Sequence, residues 1–193
     1  MTLDDINLDI QAVMDKSRSV PEQFAHISAG DLRGLTEEIY ARLDEATAGA
    51  ENVTFIPEDP QADAAEGGEG WNLAHVVVHL TAGLEENAAQ ASTLARGAEI
   101  TGRPRHEIDW ESVTTMEQIR RRLAESRRIT LAFLETWPDA PHLDATYEHP
   151  FFGEMTALTY HLAGINHAKG HLAQIEEIRR QEAARAGEEA QGD

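Results

Sequence analysis

Apolar residues recur at helical spacing in five stretches of the chain. Near the start, Leu3, Ile6, Ile10, Val13 and Met14 predict a short helix that breaks at Pro21. From about Ser28 to Ala48, Leu32, Leu35, Ile39 and Leu43 form one stripe, with Ser28 ahead of Asp31 in the manner of a capping box. This is the first long helix. The second runs from about Trp71 to Arg96, where Leu73, Val77, Leu80, Leu84, Ala88, Ala91 and Ala95 share a face and Gly97 is placed to end it. Thr114 and Glu117 repeat the capping pattern before a third stripe of Met116, Ile119, Leu123, Thr130 and Leu134, which ends before Pro138. A fourth helix begins near Gly153 and reaches about Arg180.

The connections read differently. Residues 51–70 hold Pro57, Pro60, Gly67, Gly68 and Gly70 with no sustained period, which predicts a long loop. A polar connection with Gly102 and Pro104 joins the second and third helices. The closing QEAARAGEEAQGD has too little apolar content to pack, so a flexible acidic tail is expected over 181–193. No stretch alternates long enough to argue for a sheet, and no repeat of fixed length is present. The expectation is an all-α, single domain over 1–180: a bundle of four long helices with a short extra N-terminal helix.

At 193 residues the chain is long enough to bury a core without staples. It contains no cysteine, so disulfides, thiolate metal sites and a cysteine nucleophile are excluded, and any metal must take nitrogen or oxygen ligands. A formal charge of −19 argues against nucleic acid and anionic membranes as partners, since both demand clustered Lys and Arg. The opening MTLDDINLDIQAVM carries acids where a signal peptide carries positive charge, and no apolar run is long enough for a bilayer, so a cytoplasmic protein is expected.

The chemistry lies in the nine histidines. His75 and His79, and again His167 and His171, stand at i, i+4, which puts both imidazoles of a pair on one helical face. Chance alone yields about 0.4 such pairs, so one would mean little and two carry weight. On the fourth helix Tyr160, Gly164, His167, His171, Gln174 and Ile178 fall on one line, beside an apolar stripe of Leu158, Leu162, Ile165 and Leu172. That line is polar for a seam and can border a cavity. Gly164 either leaves an open ligand position beside His167 or allows close helix packing. Two histidines need a third ligand from a neighbouring helix, and His75 or His79 supplies it; three imidazoles then leave open positions, as a catalytic ion requires. The competing reading is buried histidines satisfied by neighbouring side chains.

WNLAHVVVHL, with Trp71 and His79, resembles the second-helix signature of the DinB/YfiT-like superfamily. HPFFGEMTALTYHLAGINHAKGHLAQIEEIRR resembles that family's last-helix pattern through His149, Pro150, Phe152, Gly153, His167, His171 and Gln174. The likeness spans roughly Ser28 to Arg180. It implies an up-down-down-up four-helix bundle whose long crossover joins helices two and three. It also implies His79, His167 and His171 as metal ligands and leaves His75 to a supporting or core position. Zinc or nickel is the expected ion, although the donor set also suits iron, cobalt or copper.

Among the other candidates, Gln174 shares the ligand face and suits a bond to an imidazole N–H, whereas Asn166 does not clearly do so. Tyr160 is expected to be a packed aromatic with its hydroxyl at a rim, within reach of substrate. His26, His106 and His142 are expected in solvent, His161 well round from His167, and His149 shaping the start of the fourth helix. The resemblance implies a metal-dependent transferase joining a low-molecular-weight thiol, bacillithiol or mycothiol, to an electrophile, in a homodimer. Tyr160 and Gln174 are its candidate catalytic residues. The alternatives are a metal-dependent hydrolase, for which Glu85 and Glu86 lie near His79 without clearly sharing its face, and a non-catalytic metal-binding stress or interaction protein.

Overall fold

A computed structural model describes residues 1–59 and 70–192. Four long helical segments form the bundle: α3 (Leu32–Thr47), α4 (Leu73–Ala95), α5 (Met116–Glu135), and the pair α6 (Ala157–Gly170) and α7 (Leu172–Gly192). The predicted N-terminal helix is broken up. Leu3–Asp5 is a single 3₁₀ turn, α1 is only Ile10–Met14, and α2 is Val20–Gln23. Leu3 and Ile6 are nonetheless buried, and Lys169 Nζ donates to the carbonyls of Leu3 and Ile6, tying this segment to α6.

The predicted stripes form the core. Leu35, Ile39 and Leu43 of α3, Val77, Leu80 and Leu84 of α4, Ile119 and Leu123 of α5, and Leu162 and Ile165 of α6 are all buried. Cross-helix contacts fix the directions. Arg33 meets Glu135 and Tyr40 meets Ser126, so α3 and α5 are antiparallel. Thr81 meets Arg122 while Ser92 meets Thr136, so α4 and α5 run parallel. Gly83 lies against His167 and Asn87 against Gly164, so α6 opposes α4, and Thr36–His161 with Ala46–Arg179 aligns α6 and α7 with α3. The order is up, down, down, up, and residues 96–115 are the crossover.

Local signals explain most of the boundaries. Asn72 Oδ1 accepts from His75 N at 2.9 Å and caps α4; Gly97, at φ 71°, ends it. The Ser28–Asp31 box forms around a 3₁₀ turn that leads into α3. The box opening α5 is Thr115 with Gln118, one residue on from the expected Thr114 and Glu117, because the amide of Gln118 can accept from the backbone of both Thr114 and Thr115.

Two expectations are corrected. The fourth helix does not start near Gly153. An antiparallel hairpin, β1 (Thr146–His149) and β2 (Gly153–Thr156), precedes it, with His149 paired to Gly153, itself at φ 69°. Strands of four residues are too short to register as alternation. Nor does that helix end near Arg180, since α7 runs on to Gly192. Gln181 and Glu182, placed by sequence in the tail, bond the backbone of Glu58 and of Glu51 and Asn52. Of the long loop over 51–70, residues 60–69 lie outside the described residues. Among the described residues no helix is long and apolar enough to cross a membrane.

Candidate metal centre

His167 and His171 sit one turn apart where α6 passes into α7. There the amide of His171 bonds to Ala168 O, a tightened 3₁₀-like step, and the carbonyl of His171 accepts from Ile175 N to resume the α-helix. The antiparallel α4 brings His79 opposite them. His79 Nε2 is 3.3 Å and His171 Nε2 is 3.2 Å from His167 Nε2, and a ligand nitrogen of each lies within 4.8 Å of the others. Imidazole nitrogens about 2.0–2.1 Å from a tetrahedral ion stand roughly 3.3–3.4 Å apart, so the donor set fits a divalent metal. Burial, reinforced by Arg105 and by neighbouring imidazoles, pulls His79 down to about 4, and burial followed by the adjacent histidines does the same to His167. Both are therefore neutral at pH 7, as ligands must be.

The remaining ring nitrogens are supported from outside. Gln174 Oε1 lies 2.7 Å from His171 Nδ1; accepting its hydrogen leaves the Nε2 lone pair free to face the other two rings. His79 Nδ1 lies 3.2 Å from Arg105 Nη2 and 3.8 Å from Glu107 Oε1, and Glu107 is the acceptor available when that nitrogen carries the hydrogen. Asn166 instead accepts from Leu8 N and takes no part.

His75 is not a ligand. Its ring is stacked between Trp71, at 4.0 Å, and Trp110, at 4.9 Å, which pins the crossover to the start of α4. Trp71 also stands edge-on to His79. His161 is buried with Nε2 2.7 Å from Thr36 Oγ1, while His26, His106 and His142 are exposed. Gly164 serves close packing rather than an open ligand position, since a Cβ there would stand 2.9 Å from Asn87 Cβ.

The open side lies toward Gly83, where a cavity of about 500 Å³ is lined by His79 and His167 at one end and by Arg103, Tyr147, His149 and Tyr160 among others. Glu86 also lines it. Burial alone would raise its carboxyl, but bonds from Arg103 and Arg105 outweigh that and hold it below the usual range, so it stays ionised and paired. Glu85 is paired with Arg122 at 3.0 Å.

Sequence reasoning missed Arg103, Arg105 and Glu107, which lie in a connection without periodicity. It also assigned His149 only to the start of the helix. The one available signal was charge clustered opposite the His79 face, visible once the crossover is known to return along α4.

A family model described as the DinB superfamily matches residues 30–175. The chain belongs to the DinB superfamily. No curated protein and no solved structure is found to match it. The match takes in all three histidines of the centre, the hairpin and the crossover. The helical bundle seen here is compatible with the DinB-like bundle inferred from the two sequence signatures.

Proposed function

We propose that this DinB-superfamily chain is a metal-dependent transferase in which His79, His167 and His171 hold a zinc or nickel ion and a small thiol of the bacillithiol or mycothiol type attacks an electrophile in the adjoining cavity. The observation that carries the reading is the cavity itself: it opens directly on His79 and His167, as a catalytic centre requires and a closed structural site does not. An ion held there supplies positive charge that favours the thiolate, the nucleophilic form of a thiol. The chain has no cysteine, so the sulfur must come from the co-substrate. In transfer the thiolate electron pair forms a new C–S bond, the thiol proton passes to solvent, and the leaving group departs with the electrons of the bond that breaks.

The residues divide the work. Gln174 is a positioning residue, fixing the tautomer and plane of His171. Tyr160 is the candidate catalytic residue. Its side chain lines the cavity, and burial keeps its hydroxyl protonated, so it can donate to the electrophile or to its leaving group. Hydrolysis by a carboxylate base is less well supported, because Glu86 and Glu85 are each occupied by arginine.

The test is metal analysis of untagged protein, wild type against His167→Ala and His171→Ala, followed by thiol-consumption assays with and without zinc. The expected result is about one ion per chain, lost in both variants, with zinc-dependent thiol transfer. Wild type that stays metal-free when zinc and nickel are offered refutes the centre. Bound metal without turnover across thiols and electrophiles leaves the non-catalytic stress or interaction protein, with homodimer formation as its expected accompaniment.

A further inference from the structure

The cavity beside the centre carries the guanidinium groups of Arg103 and Arg105, the ring of His149 and the hydroxyl of Tyr160 beside the amides of Asn87 and Gln90, whose NH2 groups are bonded to backbone carbonyls. Its one buried carboxylate, Glu86, is already engaged: Arg103 donates Nε and Nη2 to it, and Arg105 donates Nη1. Arg105 is further committed to Glu107 and to the carbonyl of His79. Arg103 differs. Its side chain is 73% exposed, and among the described residues nothing takes its Nη1.

His149 adds a donor whose tautomer is set by the hairpin. Its Nδ1 accepts from the backbone N–H of both Phe151 and Phe152, at 3.1 Å each, so in the neutral ring the hydrogen is on Nε2. Burial, then the nearby Arg103, lowers its pKa and keeps the ring neutral. Tyr160 is only 5% exposed, yet among the described residues its hydroxyl has no partner while its side chain lines the cavity. The hydroxyl itself keeps some exposure, so it opens on the cavity and is free to donate to a ligand atom there. The rings of Tyr147 and Phe152 supply an apolar wall between these polar groups.

We infer that this cavity binds the carboxylate of a reactant with an apolar body, held by the free edge of Arg103, the Nε2–H of His149 and the hydroxyl of Tyr160. A monoanion fits better than a phosphate dianion because the free guanidinium edge stands beside the ionised Glu86, and a second negative charge would meet repulsion without a second free cation. The identity of the bound molecule as reactant rests on the proposed transferase; the binding itself does not.

The test is calorimetric titration of the full chain, both zinc-loaded and metal-free, with phenylacetate, its neutral isostere phenylacetamide, and inorganic phosphate. Phenylacetate is expected to bind at least about tenfold more tightly than the amide, and Arg103→Gln to remove most of that preference, because hydrogen bonds to a charged group are the strong ones. Tyr160→Phe is expected to weaken phenylacetate severalfold. Zinc content and melting temperature are measured on every variant; Arg103 touches no metal ligand, so its substitution should leave zinc content unchanged. Equal binding of acid and amide, phosphate binding in preference to phenylacetate, or affinity unchanged in both variants overturns the assignment. Carboxylate binding that persists in metal-free protein, together with absent thiol transfer, would defeat the transferase and leave this subsite standing.

Discussion

His161 makes the stability of this bundle depend on pH in a calculable way. Its ring is buried on α6, with Nε2 on Thr36 Oγ1 and Nδ1 without a partner, and burial lowers its pKa to about 4 from 6.5. Above pH 6.5 the ring is neutral whether the chain is folded or not, and the group imposes no penalty. As pH falls from 6.5 toward 4, the unfolded chain takes up a proton that the folded chain refuses, so stability is lost through that window. With these two values the loss attributable to His161 is about 2 kcal/mol at pH 5, approaching roughly 3 kcal/mol near pH 4. Urea unfolding followed by circular dichroism, on metal-free wild type and His161→Gln at pH 7.5, 6, 5.5 and 5, measures it. Glutamine retains a polar contact to Thr36 but does not titrate. The variant should start less stable and fall less steeply, so that the two curves converge by about 2 kcal/mol at pH 5. Parallel curves would show that His161 is solvated in the folded state and would refute the reasoning.

Two further outcomes follow from the site. Gln174→Ala should weaken zinc binding by about ten- to a hundredfold in a competition titration against a chromophoric chelator, with melting of the metal-free protein little changed, because the bond to His171 Nδ1 is lost without any ligand being removed. Gly164→Ala should destabilise the fold by about 1–3 kcal/mol in denaturant titrations, since its methyl would stand 2.9 Å from Asn87 Cβ and α4 and α6 would have to separate; an unchanged midpoint would contradict the close approach.

What the sequence disclosed was governed by length and period. The stripes of α4 and α5 persist for five turns or more, so both helices could be read off directly, and the i, i+4 geometry of His167 and His171 needs nothing beyond a regular helix. Choosing His79 over His75 came from the family signature; the physical reason, two indole faces enclosing His75, depends on Trp110 returning from the crossover. The hairpin at 146–156 was hidden because each strand alternates over only four residues. Gly164 was ambiguous because its neighbour Asn87 lies on another helix. Arg103, Arg105 and Glu107 carry no periodic signal, and only the folded crossover sets them against α4.

The parallel run of α4 and α5 has a corollary. Two neighbouring helices that point the same way oblige the chain to travel back the whole length of one of them, about 35 Å for the 23 residues of α4. That return lies against α4 and carries Arg103 and Arg105 along the wall of the cavity. Its length leaves slack for insertion, and none of its residues belongs to the three-histidine group that could hold an ion. Topology thereby gives one connector two tasks: through Trp110 and Arg105 it braces the start of α4 and the ring of His79, and through Arg103 it forms part of what the cavity presents to a ligand.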